Sequence, residues 1–330
     1  MAEAVARRID EHRANEPGRG READAPTEIP HLGWKDILYR LWDEIFKDRI
    51  GTIAAGTTFY IILSIFPALG ALVSLYGLIA DPGTIQSHLA DLRGLVPAAM
   101  LELLDQELTR LMGSREESLG WSFGLGLAVA LWSANSGMKA LFDALNVAYD
   151  EEEKRGFIQL NLQSLGFTLG AILFFILLLN VVIGVPVILN LLPLGPLASV
   201  LVSVLPALLL FAVAALVIAV LYRYGPSRAN AQWRWITPGS LGAAFVWLLG
   251  SVLFSWYLAN WGNYSATYGS LGAAIGMMMW IYISLWIVLV GAELNSEIEH
   301  QTARDTTTGP AKPLGTRGAA MADRVGEARA

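Results

Sequence analysis

Acidic and basic residues vanish from four long stretches of the chain: 52–80, 119–138, 156–222 and 235–292 hold no Asp, Glu, Lys or Arg. A helix rising about 1.5 Å per residue needs ~20 mostly apolar residues to cross the hydrocarbon core of a bilayer. Stretches of 29 and 20 residues hold one crossing each, and those of 67 and 58 residues hold two apiece. The longer pair divide at recognisable breaks. Pro193, Gly195 and Pro196 interrupt the first, and the polar, aromatic run from Asn260 to Tyr268 interrupts the second. The pattern predicts an all-α, polytopic six-transmembrane-helix bundle with spans at 52–79, 119–142, 165–192, 197–222, 236–259 and 269–293.

Outside the spans the periodicity changes. Trp34, Ile37, Leu38, Leu41, Trp42, Ile45 and Phe46 recur at three- and four-residue steps, with Lys35, Arg40, Asp43, Glu44 and Lys47 opposite, on the solvent side. This predicts an N-terminal amphipathic helix lying in the membrane interface. Segment 81–118 carries two shorter patterns, Ile85, Leu89, Leu92, Val96 and Leu101, Leu104, Leu108, Leu111, expected as two short external helices. Residues 1–33 and 301–330 are rich in Ala, Gly, Arg, Glu and Pro without such periodicity, and are expected to be disordered tails on either side of a membrane domain at 34–300.

A hydrophobic content of 54% against 16% charged residues is too apolar for an ordinary soluble domain of this length. Loops on the cytoplasmic side accumulate Lys and Arg. With the N-terminus inside, only Arg93, Arg110 and Arg115 of the 23 basic residues fall on the outer side, so both termini are expected in the cytoplasm. The first apolar run begins behind a long charged leader, so the first span is expected to serve as its own insertion signal. Small residues four apart, Gly120 and Gly124, Gly166 and Gly170, Gly272 and Gly276, are expected to let helices approach closely.

Catalytic chemistry finds little support. The chain has no cysteine, which excludes disulfides, thiolate metal sites and a cysteine nucleophile. His12, His31, His88 and His300 show no ligand spacing. There is no Gly-rich phosphate loop with a lysine, no Gly-x-Ser-x-Gly elbow and no His-Glu-x-x-His. The chain is therefore expected to be no enzyme, to use no cofactor and to hold no metal. Nucleic-acid binding is not expected either, because the basic residues follow the topology and are interleaved with Asp150, Glu151, Glu152 and Glu153.

Polar residues within the spans are the remaining candidates. In the second span Trp132, Ser136, Lys139, Asp143, Asn146 and Asp150 follow at three- or four-residue steps, with Asn135 beside them. One reading is a polar cavity between spans two, one and six, lined by Tyr60, Ser64, Asn135, Ser136, Lys139, Asp143, Asn146 and Glu293. The other is a helix end, with Lys139 reaching to the interface and Asp143 already in water. Span four echoes span one, Ser203 to Leu208 matching Ser64 to Leu69. Were this an inverted repeat, Pro67 and Pro206 would interrupt helices beside a substrate site.

Three ordered blocks resemble the YihY / virulence factor BrkB family of membrane proteins. They are Ala54 to Tyr60 with Ser64 to Pro67; Ala130 to Ala134 with Leu145 to Tyr149 and a charged run to Arg155; and Tyr268 to Ala273 with Gly291 to Asn295. The resemblance covers about 35–300 and implies a six-span protein of a bacterial inner membrane. Family labels include ribonuclease and serum resistance, and proposals of lipid or lipid-precursor export. The ribonuclease label is at odds with the residues, which offer neither a metal cluster nor an acid–base pair. The expected function is transporter-like movement of a lipid-related or other amphipathic substrate among membrane lipids. The alternative is a non-transporting scaffold or envelope-integrity factor. The sequence leaves the oligomeric state open.

Overall fold

Each long charge-free stretch is carried by helix. The computed structural model describes residues 9–76, 109, 121–191, 196–260 and 272–329. The α-helices, in order, include α1 His31–Lys47, α2 Ile50–Tyr76, α3 Trp121–Ala148, α4 Phe157–Leu191, α5 Pro196–Tyr224, α6 Trp233–Asn260 and α7 Gly272–Gln301, with a 3-10 turn at Pro26–Glu28. The fold is all-helical; among the described residues the only β-type pairing is an isolated bridge between Ala231 and Thr307. Within α4, α6 and α7, segments Phe157–Phe174, Trp233–Leu258 and Ala274–Gln301 are long and apolar enough to cross a membrane, and Ile50–Ile65 and Leu208–Tyr224 are shorter apolar helices. The two helices expected at 81–118 lie outside the described residues.

Observed helices overrun the expected spans toward the charged end, because backbone hydrogen bonding does not stop where apolar composition does. Helix α3 continues from 142 to Ala148, α4 begins at Phe157 rather than 165, and α7 runs eight residues past Glu293 to Gln301. At the corner between α1 and α2, Asp48 caps α1 through its N–H to the Glu44 and Phe46 carbonyls. Arg49 then takes the left-handed conformation, φ 53°. That single turn reverses the chain without a glycine, and Ile50 starts α2 fully buried.

The tails, expected to be disordered, instead pack together over this end. Arg21 donates to the Gln301 carbonyl at 3.1 Å and the Gly326 carbonyl at 2.7 Å. Arg317 donates to the carbonyls of Ala303 and Ala322 at 2.7 and 2.6 Å. The Ala320 N–H reaches the Glu151 carboxylate at 2.6 Å. Ala319, Met321, Ala322 and Val325 are buried. These tails are short of large apolar groups, and fixed carboxylates and carbonyls of the helix ends supply much of what holds them.

Helix α1 also departs from expectation. Gly33, Asp36, Ile37 and Arg40 form its buried face, while Leu38, Tyr39, Trp42 and Phe46 are exposed. Arg40, expected on the solvent side, lies against the last turns of α7. It is ion-paired with Glu297 and donates to the Gln301 side chain at 2.8 Å. Periodicity could not tell that Ile37 and Arg40 are buried together against α7 while Leu38, Trp42 and Phe46 of the apolar stripe stay exposed.

Candidate functional site

The residues of the expected cavity fall into three surroundings rather than one. Tyr60 is 50% exposed and meets Phe59 edge-on. Ser64 is buried, donates to the Ile61 carbonyl of its own helix at 2.8 Å, and faces Gly137 of α3 so closely that a Cβ there would sit 2.4 Å from its Oγ. This is a seam between α2 and α3, where a glycine is required by the approach. Pro67 is half-buried within α2; Pro206, though inside α5, lies outside the described side chains.

The span-two stripe turns toward α4. Asn135 is buried, and its Oδ1 receives a 3.4 Å hydrogen bond from Thr168. Ser136 is spent on the Ser133 carbonyl at 2.7 Å. Lys139 Nζ donates to Asn161 Oδ1 at 3.1 Å and stands 5.3 Å from the centre of the Trp132 ring. Trp132 is 56% exposed, and Asp143 is exposed. On the same turns of α4, Gly156, Phe157, Ile158, Gln159, Leu162 and Gln163 line an open groove of about 860 Å³. Phe157, Ile158 and Leu162 are all exposed. Asn161, which holds the Lys139 ammonium, stands on the same turns of α4 as this groove, an arrangement suited to a molecule with an anionic head and an apolar body.

Asn146 serves the loops. Its Oδ1 accepts from the Ser227 N–H at 2.7 Å and its Nδ2 donates to Glu153 at 3.1 Å. Burial opposes ionisation of Glu153, but hydrogen bonds from Arg155 at 2.6 and 2.8 Å outweigh it and hold this carboxyl at about 2.

Glu293 sits elsewhere again, in a corner where the start of α2 meets α7. It is 1% exposed, and its Oε1 finds no hydrogen-bond partner. The carboxylates whose charges bear on it are Asp48, Glu297, Glu44 and Asp150. Burial, followed by the charges of Glu44 and Asp150, pushes Asp48 up to about 6. Among the described residues no three His, Asp or Glu side chains converge to hold a metal ion.

Two features were missed by reading the sequence. One is Asn295, fully buried, whose Nδ2 donates to the Ile236 carbonyl at 2.9 Å and whose Oδ1 accepts from the Gly239 N–H at 2.8 Å. It tends the backbone on either side of Pro238, which lacks an N–H inside α6. The other is the contact of Gly239 with Gly291. A Cβ on Gly239 would lie 2.3 Å from the Gly291 carbonyl, and one on Gly291 would lie 2.5 Å from the Tyr222 hydroxyl. Both Gly291 and Asn295 stand in the last of the three sequence blocks, the one signal that pointed to them. By contrast Gly166 and Gly170 face open space.

Comparison with known proteins places the chain. The sequence profile of the family described as Virulence factor BrkB matches residues 41–315. A ribonuclease-like protein of Bacillus subtilis, YfkH, is 32% identical over 260 residues, covering 74% of this chain and 88% of that relative. A UPF0761 membrane protein of Methylibium petroleiphilum is 26% identical over 268 residues, covering 78% of this chain and 61% of the relative. A UPF0761 membrane protein of Haemophilus influenzae is 38% identical over 61 residues, 18% of this chain and 23% of the relative. The chain thus spans less than two thirds of the latter two relatives. No solved structure matches it.

Proposed function

The chain belongs to the virulence factor BrkB family of membrane proteins, and from that premise we propose a six-span inner-membrane protein that binds and moves an anionic, lipid-related amphiphile at its cytoplasmic face. The observation that carries this is Lys139, half-buried between Trp132 and Asn161 beside the open apolar groove at the start of α4. A snorkelled ammonium beside exposed aromatic and aliphatic side chains matches a headgroup phosphate with its acyl chains still in lipid. Topology supports the orientation. The ends of α1, α3, α5 and α7 and the starts of α2, α4 and α6 meet the folded tails at one extremity, where the basic residues gather, as the positive-inside rule requires of a cytoplasmic side. The exposed Leu38, Tyr39, Trp42 and Phe46 of α1 fit an interfacial position. No nucleotide-binding motif supports ATP hydrolysis, and the reading includes no nuclease activity.

A second reading, a non-transporting scaffold for the envelope, is favoured by the close seams at Ser64–Gly137 and Gly239–Gly291, which leave those helices little room to part. Proteoliposomes with headgroup-labelled lipids separate the two. Wild-type protein is expected to speed transbilayer movement of anionic lipid over protein-free vesicles, and Lys139→Leu to abolish the excess. Asn135→Leu, which disturbs packing against Thr168 rather than the groove, controls for folding. Rates equal to the blank for every headgroup would overturn transport in favour of scaffolding.

A further inference from the structure

The corner between α5 and α6 places a guanidinium against two aromatic rings. Arg223, the penultimate residue of α5, has its Cζ 4.5 Å from the ring centre of Trp233, which opens α6, and 5.4 Å from that of Tyr224. The two rings meet edge-on with centres 6.3 Å apart. Arg223 Nη1 donates to the Ala231 carbonyl at 2.6 Å, whereas Nε is buried without a partner. Arg155 and Arg228 are taken up by Glu153 and Glu299, but no carboxylate pairs with Arg223 among the described residues. Asp305, whose carbonyl meets the Gln232 side chain at 3.3 Å, spends its carboxylate on Thr307 and the Lys312 N–H. Arg234, exposed beside Trp233, donates to the neutral Gln232 Oε1 at 2.8 Å. The corner therefore carries two positive charges and keeps donor capacity on a guanidinium that the two rings restrain. A guanidinium fork matches the oxygens of a phosphate. Trp233 also begins a stripe of α6 that continues through Thr237, Leu241, Phe245, Leu249 and Val252, all exposed, on a helix long and apolar enough to cross a membrane.

We propose that the α5–α6 corner is a binding site for an anionic phospholipid, whose phosphate accepts from Arg223 and whose acyl chains lie along the α6 stripe. Arg234 adds positive charge at the headgroup, and Trp233 and Tyr224 sit at the level where aromatic side chains favour the membrane boundary. The corner meets the folded tails, the Gln232 N–H reaching the Thr306 carbonyl at 2.8 Å, so with the tails inside the lipid belongs to the inner leaflet. The site is separate from Lys139, which stands between α3 and α4. It is a resident lipid site and does not rest on the transport reading.

Native mass spectrometry of the full-length protein in mild detergent tests it, in a Lys139→Leu background so that the groove cation does not contribute. Phosphatidylglycerol, phosphatidylcholine and inorganic phosphate are the probes. Retention of one phosphatidylglycerol in preference to phosphatidylcholine is expected, and inorganic phosphate, which has no acyl chains, is expected not to displace it. Adding Arg223→Gln should weaken retention about tenfold, the weight of one charge-assisted hydrogen bond. Trp233→Leu, at an exposed position, should weaken it about threefold by releasing the guanidinium, and serves alone should Arg223→Gln not fold. Equal retention of the two lipids, displacement by inorganic phosphate, or unchanged retention in Arg223→Gln or in Trp233→Leu would each overturn the phospholipid site.

Discussion

Asn295→Ala tests most directly whether the last sequence block is a packing device. The side chain is fully buried and satisfies two backbone groups of α6, the Ile236 carbonyl and the Gly239 N–H, at 2.9 and 2.8 Å. Interhelical side-chain hydrogen bonds in membrane proteins average only about 0.6 kcal/mol when an alternative partner exists in the unfolded state. Here both partners are buried main-chain groups of α6 on either side of Pro238. Each buried group without a partner costs about 1–3 kcal/mol, so the pair implies a loss of about 2–6 kcal/mol. The low figure, about 1.2 kcal/mol for two average bonds, lies outside that range. Asn260 offers the control: its Nδ2 bonds its own helix at the Trp256 carbonyl, 2.8 Å away, and is exposed. Unfolding in mixed detergent micelles, followed by tryptophan fluorescence, should give Asn295→Ala a loss above about 2 kcal/mol and Asn260→Ala a loss below about 0.5 kcal/mol. Equal stabilities of the two variants would refute the reasoning, because they would mean that solvent or neighbouring groups take over both backbone atoms.

Gly291→Ala places a methyl 2.5 Å from the Tyr222 hydroxyl and 2.7 Å from the Ala243 Cβ; a loss of about 1–3 kcal/mol is expected from overpacking, partly relieved by Tyr222→Phe, as thermal unfolding of single and double variants will show. Arg228 and Glu299 pair at 2.6 Å with side chains 1% and 0% exposed, so Arg228→Met strands a buried carboxylate at a cost of about 3–5 kcal/mol; adding Glu299→Gln should restore much of it, and a double variant no better than the single would count against the pair. Glu153 is held below its ordinary 4.5, at about 2. A depressed carboxyl stabilises the fold above its unfolded value and loses that contribution as pH falls from about 4.5 through about 2. Hydrogen exchange of the 150–156 loop should therefore accelerate over this window, and Glu153→Gln should flatten the dependence while leaving the loop faster at neutral pH.

The polar residues of the spans thus meet different neighbours, and the sequence could not apportion them. The stripe Trp132, Ser136, Lys139, Asp143 and Asn146 was legible because helical spacing places such residues on one side of α3. Which neighbour that side meets was not. Only the packing shows Lys139 at Asn161, Asn135 at Thr168 and Asn146 at the Ser227 N–H, so the side expected to face spans one and six serves α4 and the loops. The glycines show the same limit. Spacing favoured Gly166 and Gly170, which face open space, whereas Gly137, Gly239 and Gly291 make the close approaches, because an approach depends on the crossing point of two helices.

What the sequence determined alone is the membrane character, the all-helical class and the positions of the helices to within a few turns. Those follow from the cost of leaving backbone or charge unsatisfied in hydrocarbon, a constraint each segment meets by itself. The tertiary structure decided the fate of the ends. Residues 9–30 and 302–329 contain too little apolar surface to order independently, yet Arg21 finds the Gln301 carbonyl at the end of α7 and the Ala320 N–H finds the Glu151 carboxylate after α3, while Arg21 and Arg317 tie the tails to themselves at the Gly326 and Ala322 carbonyls. It also paired Arg40 of α1 with Glu297 of α7, residues separated by nearly the whole membrane domain. Such partnerships arise from a three-dimensional corner formed by α1, α2 and α7, and no periodicity along the chain encodes them.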